Sequence, residues 1–407
     1  MTTTQNEFDI VIAGGGMVGA CLAAALAGSQ WRVAVLEAKV PSLTWPDSSH
    51  DLRVSAISRA SEMLFRAIGA WDAMEKMRVT AFREMHVWDS GGSGEIHFDS
   101  ADIGEPTMGH IVENRVIQSA LWRRIEQSKN IAIVCPAVMA DFEANETGIA
   151  ITLADGGQLR ARLLVGADGA DSKVRELACI NHYSQPYEQH AVVATVHTEQ
   201  WHRETAWQRF LPEGPLAFLP LTHECCSIVW TTTSAQAQHL LTLTEAEFSA
   251  QLTESFAHKL GSVIVRGPRA AFPLRRQYAE HYVKPRLALI GDAAHTIHPL
   301  AGQGANLGFL DAAQLAHELL SAAASQDPGT FALLRRYERA RKGNNLLMMS
   351  VMDGFNKLFS DAATPLRLLR NTGLALANRV DPLKQAIMLR AMGLEGELPS
   401  RFTQAVD

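Results

Sequence analysis

Residues 8–28 read FDIVIAGGGMVGACLAAALAG, and where this run is divided decides the fold. Taken whole, the uncharged stretch 10–28 is long enough to resemble a membrane span or a secretory signal. Its flanks argue against both: no lysine or arginine precedes it, and the nearest basic residue, Arg32, lies downstream. Three consecutive glycines would also weaken a helix there. Divided at those glycines, the run makes better sense. FDIVIAG is a short apolar, β-branched strand of the buried parallel kind, the rest is a small-residue helix ending near Gly28, and RVAVLEA (32–38) is a second buried strand. Gly14, Gly16 and Gly19 then stand as G-x-G-x-x-G at the strand-to-helix turn, with Glu37 at the end of the second strand. Gly14 permits the tight turn, Gly16 lets a pyrophosphate approach the backbone, and Gly19 lets the helix pack closely on the strand. Helix amides face the phosphates. The Glu37 carboxylate accepts from ribose hydroxyls and would repel a 2′-phosphate, which favours FAD or NAD over NADP. A lone G-x-G-x-x-G is weak evidence, but strand, helix, strand and terminal acid in register make a dinucleotide-binding unit.

Bulk properties narrow the rest. A chain of 407 residues exceeds one ordinary domain, so two joined domains are expected. Its 47% hydrophobic and 20% charged residues describe a globular chain with a sizeable core. A net charge of −6 argues against a nucleic-acid partner. The five cysteines, at 21, 135, 179, 225 and 226, show no C-x-x-C spacing; they fit a reducing compartment and neither a disulfide framework nor a zinc ribbon. Repeats and low-complexity tracts are lacking.

Two later stretches choose between FAD and NAD. In LRARLLVGADGADSKVR (159–175), a strand runs into a Gly/Asp loop and a helix; DGGQL just before it is a hairpin-turn signal. In RLALIGDAAHTIHPLAGQGANLGFLDAAQLAHELL (286–320), an apolar strand reaches Gly-Asp and a second helix is entered through glycines. Together with GGGMVG these resemble the G-x-G-x-x-G, D-G and G-D motifs of the group A FAD-dependent aromatic hydroxylases. LRVSAIS, GHIVEN, FLPL, GDAAHTIHPLAGQGANLGF and LRRYERAR extend the resemblance over nearly the whole chain, to the ubiquinone-biosynthesis branch of that family. The resemblance implies an α/β, Rossmann-like FAD-binding fold of the aromatic-hydroxylase type. It implies that Asp292 binds the ribityl or pyrophosphate region of FAD and that Asp168 sits beside the cofactor, near where a reductant enters. Gly302 and Gly304 would let the chain pass close to the isoalloxazine. Backbone amides at Gly304, Ala305 and Asn306, at a helix start, would stabilise negative charge on reduced flavin. Arg53 and Arg115 match two positions that contact FAD in the family, with a surface salt bridge as the alternative for each.

The activity implied is monooxygenation of the aromatic ring of a polyprenylated phenol at C5 in ubiquinone biosynthesis, through a flavin C4a-hydroperoxide. O₂ is the co-substrate, with NAD(P)H or another electron donor as transient reductant. A sister hydroxylase acting on a methoxy-polyprenyl-benzoquinol shares most of these motifs, and a flavin-binding assembly protein of the pathway is a third reading. No second nucleotide fingerprint is found, since GGSG at 91–94 lacks a strand–helix context, and the W-x-W-x-I-P signature of flavin halogenases is absent. A base that deprotonates the phenol would help the attack, with His298 a candidate and Pro299 beside it as part of a dry wall; a loop histidine bonded to backbone is the alternative. A metal at His295 and His298 is not expected, because an i, i+3 pair needs further ligands and none sits at a recognised spacing.

The FAD-binding domain is expected in three pieces, 1–75, 105–180 and 270–345. Residues 76–104 and 181–269 are expected to form an antiparallel substrate domain, with 241–260 an amphipathic helix on its sheet. Residues 346–407 read as a C-terminal helical region. There Met348, Met352, Phe355 and Phe359 share a helical face, either packed inward or lining a tunnel for an isoprenoid tail. Arg367 and Arg370 beside leucines give a modest interfacial pattern. The expected setting is cytoplasmic, peripheral at the inner membrane, with a ubiquinone-biosynthesis complex and a homo-oligomer as potential assemblies.

Overall fold

The computed structural model describes residues 6–47, 49–92, 94–222, 224–297, 304–323, 325–360 and 380–403, with backbone alone at 352, 353, 355–360 and 383. The run 10–28 divides at its glycines into the strand Ile10–Ala13 and the helix Met17–Ala25, and the second strand is Val33–Leu36. All eight strand residues are buried, as apolar β-branched runs are when helices cover both faces of a parallel sheet. The six-stranded sheet has the order 283–284, 287–289, 163–166, 10–13, 33–36, 131–134. Its strands are parallel except for Val283–Lys284, which folds back on Leu287–Leu289. Four motif-bearing strands therefore point the same way, and the segments that follow them meet at one edge of the sheet.

A second sheet of eight strands takes in Glu84–Asp89, Glu95–Asp99 and the long strands His182–Thr198 and Val263–Ala279. It is antiparallel apart from the pairing of Thr205–Leu211 with Glu84–Asp89. This sheet runs past residue 270 to Ala279 and gathers His295–Thr296 at its edge, so the G-D segment is clamped between both sheets. DGGQL forms the hairpin between Ile149–Leu153 and Gln158–Ala161, with Gly156 at φ +87°. The helix expected over 241–260 is shorter, Glu245–Ser255, and a separate helix, Ser234–Thr242, precedes it. The break is local chemistry: Thr244 and Glu247 form a reciprocal capping box that starts a new helix after an extended Leu243.

Past the second glycine-entered helix, Gly304–Leu320, a 30-residue helix spans Phe331–Ser360. Met348 lies in a small cluster with Ile297, Leu307, Met349 and Tyr278, which is inward packing. The side chains of Met352, Phe355 and Phe359 lie outside the described residues, as do Arg367 and Arg370. No helix among the described residues is long and apolar enough to cross a membrane.

Candidate functional site

At the carboxyl edge of the parallel sheet the glycines meet their requirements by contact. Gly14 has φ +105°, and a Cβ there would stand 2.4 Å from the Ala167 carbonyl oxygen; a Cβ on Gly19 would stand 1.9 Å from that of Gly14. Both positions lack room for any side chain. Gly16 differs: a Cβ there meets nothing within 4 Å, its φ of −65° suits any residue, and no side chain caps the helix it begins. Helix amides with no side-chain partner beside open space form the cradle a diphosphate needs. Glu37 turns towards the same loop, where its carboxylate accepts from the Gly15 and Lys39 N–H groups at 2.8 and 3.1 Å. One bond to each oxygen leaves acceptor capacity for ribose hydroxyls.

The D-G loop is an anchored turn. Asp168 accepts from the Ser172 hydroxyl at 2.6 Å and from Val174 N–H at 3.0 Å, which starts the helix Lys173–Leu177. Arg175 is buried and donates to the carbonyls of Ala293 and Ala170, both at 2.8 Å, so it stitches the D-G loop to the G-D segment. Sequence reasoning missed Arg175, although a lone arginine after a Gly/Asp loop offered a weak signal.

Asp292 is exposed but hemmed in by protein: desolvation holds its carboxyl above the usual range against the pull of His295, Arg53 and Arg275. Behind it lies a group that sequence reasoning missed. Asp311, fully buried, accepts from the His295 ring, from Arg341 Nε at 2.9 Å, from Asn345 Nδ2 at 3.0 Å and from the Gly291 N–H at 3.1 Å. Burial by itself raises the Asp311 pKa, but His295, Arg341 and Asn345 more than offset it and bring it to about 2. The histidine that invites a metal reading is thus bound to a carboxylate. Gly291 has φ +59°, and a Cβ on Gly308 would lie 2.7 Å from Val18, which presses the glycine-entered helix onto the first one.

That helix begins at Gly304 with Ala305, and the Asn306 side chain ties its first turn to LRVSAIS. Asn306 Nδ2 donates to the Ala56 carbonyl at 2.7 Å, and Ser58 N–H donates to Asn306 Oδ1 at 3.1 Å. Across that strand is an apolar cavity of about 50 Å³, lined by Ala56, Phe82, Met85, Met108, Leu219 and Met392 among others. Met392 belongs to its wall, and Met388 packs in the hydrophobic cluster around it. A larger open groove of about 510 Å³, around Asp9, Arg32 and Arg160, lies at the amino ends of the parallel strands. Ligands of such sheets bind at the carboxyl ends, so the smaller cavity is the candidate.

Arg53 is exposed and stands over the Phe272 ring. Arg115 pairs with buried Glu113, holds Ser49 and lies over Trp45; Arg78 pairs with Glu113 as well and donates to the carbonyls of Asp47 and Ser49. His298, Pro299 and Gly302 lie outside the described residues.

Three comparisons bear on this geometry. The model of the family described as FAD binding domain matches residues 7–349. A 3-demethoxyubiquinol 3-hydroxylase of Escherichia coli is 38% identical over 96% of this chain and 100% of its own, and a protein of Rhodospirillum rubrum called ubiquinone hydroxylase UbiL is 41% identical over 98% and 93%. Among solved structures, PqsL, a probable FAD-dependent monooxygenase of Pseudomonas aeruginosa, superimposes with a TM-score of 0.76 at 22% identity, covering 91% of this chain and 99% of its own. The p-nitrophenol 4-monooxygenase PnpA of Pseudomonas putida gives 0.78 at 19% identity, with 95% and 99% covered. At that identity the two structures speak for the fold.

Proposed function

The chain belongs to the FAD binding domain family, among the ubiquinone-biosynthesis flavin hydroxylases, and from that premise we propose that it hydroxylates the ring of a polyprenylated phenol, at C5, in that pathway. It is an FAD-dependent monooxygenase. The observation that carries the substrate reading is the position of the apolar cavity, one strand away from the Gly304–Asn306 turn and joined to it by the two Asn306 hydrogen bonds.

FAD, when bound, supplies the O₂ chemistry, and the protein supplies position, dryness and charge. In this reading the helix amides at Gly16 hold the pyrophosphate, Glu37 the ribose, and Asp292 the ribityl or pyrophosphate region. Asp168 and Arg175 keep the D-G and G-D loops together. Amides of Gly304, Ala305 and Asn306, at the positive end of a 17-residue helix, stabilise negative charge on the ring system. Gly302, outside the described residues, would leave room for the same ring, while Arg53 and Arg115 would order the rim. The cavity wall excludes water, and its methionines shift to admit a ring with a flexible tail. His298 would serve as base for the phenol and Pro299 would belong to the dry wall. NAD(P)H or another donor delivers electrons. A substrate that lives in lipid calls for a peripheral membrane contact.

The match to the whole length of a 3-demethoxyubiquinol 3-hydroxylase favours, as second reading, a methoxylated quinol as substrate. Deleting the gene and identifying the accumulated precursor by mass spectrometry separates the two. Accumulated polyprenylphenol is the expected result; an accumulated demethoxyquinol would replace the first reading by the second.

A further inference from the structure

The cavity wall contains one side chain that does not belong in an apolar site. Thr205–Leu211 alternates, and Ala206, Gln208 and Phe210 fall on one face of the strand. Ala206 and Phe210 are buried apolar residues, as that face demands. Gln208 is only 6% exposed and lines the same cavity, between Val87 on one neighbouring strand and Ala217 on the other. Its amide makes no hydrogen bond to a described residue, and it is not among the polar atoms sealed from solvent. It therefore opens onto the cavity. The other polar side chains there are engaged: Ser58 bonds to Ser61, and the Trp207 indole donates to the His202 carbonyl.

An amide that opens onto a cavity keeps its donors and acceptor for whatever enters there, and it goes unsatisfied only when an apolar group covers it. An amide retained on an apolar wall, aimed into the cavity, points to a polar group on what the cavity receives.

We propose that Gln208 is the specificity-determining residue that recognises the ring oxygen of the substrate. This rests on the reading of the cavity as the aromatic-ring site. An amide suits the task in both states of that oxygen: Oε1 accepts from a phenol O–H, and Nε2 donates to a phenolate. Gln208 thereby fixes which ring carbon faces the flavin side of the cavity, and it rejects a ring of the same shape without oxygen, because its own amide would then stay unpaired. It takes no proton; it is a positioning residue.

The test uses flavin-loaded enzyme and two probes, a phenol carrying one isoprene unit and the same prenylated benzene without its hydroxyl. Binding is read from the change each probe causes in flavin absorbance. Wild type is expected to favour the phenol about tenfold, the usual scale of one neutral hydrogen bond. Gln208→Leu is expected to bring that ratio near one by weakening the phenol and strengthening the benzene, with flavin content unchanged and the melting temperature not lowered. Gln208→Met substitutes if the leucine variant fails to fold. Discrimination that survives the substitution overturns the Gln208 assignment and leaves the cavity reading intact. Equal weakening of both probes assigns Gln208 to packing and overturns it as well. Should wild type bind neither probe, the cavity reading falls and the proposal with it.

Discussion

Gly16→Val is expected to weaken FAD binding by about a hundredfold, or about 2.7 kcal/mol, while leaving the apoprotein folded. A Cβ there meets no protein atom within 4 Å, and the backbone at φ −65° and ψ −176° is open to valine. Its stability cost is that of a poor helix-capping residue, about 1 kcal/mol. What valine obstructs is the approach of a diphosphate to the amides. Gly19→Ala is the contrasting case, because its Cβ would stand 1.9 Å from the Gly14 carbonyl oxygen. There the helix must shift off the strand, and both flavin and about 2–4 kcal/mol of stability are lost. Gly343→Ala, in an exposed stretch of the long helix with nothing near its Cβ, should instead stabilise by about 0.5–1 kcal/mol. Flavin content by absorbance and thermal melts of all three apoproteins check this. Equal flavin loss with equal melting loss for Gly16→Val and Gly19→Ala would show that the turn matters only for folding.

The second large effect is expected at Asp311. Asp311→Ala strands the Arg341 guanidinium, the Asn345 amide and the His295 ring in a sealed site and releases the Gly291 N–H. Removing one partner of a buried charge network costs about 3–5 kcal/mol, enough to unfold a marginal domain. Asp311→Asn keeps the shape and should lose less. The pH dependence has a definite sign. Asp311 has a folded pKa of about 2, below the value of about 3.9 for an unfolded aspartate. The unfolded state therefore binds the proton more readily. The stabilisation is fully present above about pH 4 and disappears as pH falls towards 2. Urea melts of wild type and Asp311→Asn between those limits should converge on acidification. A constant gap would mean that the Asp311 charge contributes nothing.

The glycine turn was legible because what a glycine must do there is local: a left-handed φ and a missing Cβ leave their mark within ten residues. Strand, helix and terminal acid could be aligned by eye for the same reason. The Asp311 network was hidden, since its members come from a short segment after a strand, the middle of one helix and a turn of another 30 residues on. A signal existed in NLGFLDAAQLA, where a lone acid sits among apolar residues that face inward. Gln208 shows the same logic on a strand, a polar residue on the apolar face of TAWQRFL. Met388 and Met392 were not legible for a different reason: a helical stripe of methionines does not tell which neighbour it meets. The helix break at Leu243 could have been read from T-x-x-E at 244–247, the capping-box signature itself.

In the proposed reaction, oxygen from O₂ enters an aromatic ring held in the cavity beside the Gly304–Asn306 turn. The most direct measurement supplies the FAD-loaded protein with a short-tailed prenylated phenol, an electron donor and isotopically labelled dioxygen, and follows the product by mass spectrometry. A ring-hydroxylated product carrying a single labelled oxygen, formed only when flavin is present, is the expected result. Donor oxidation with the phenol recovered unchanged, or a product whose new oxygen comes from water, would contradict it.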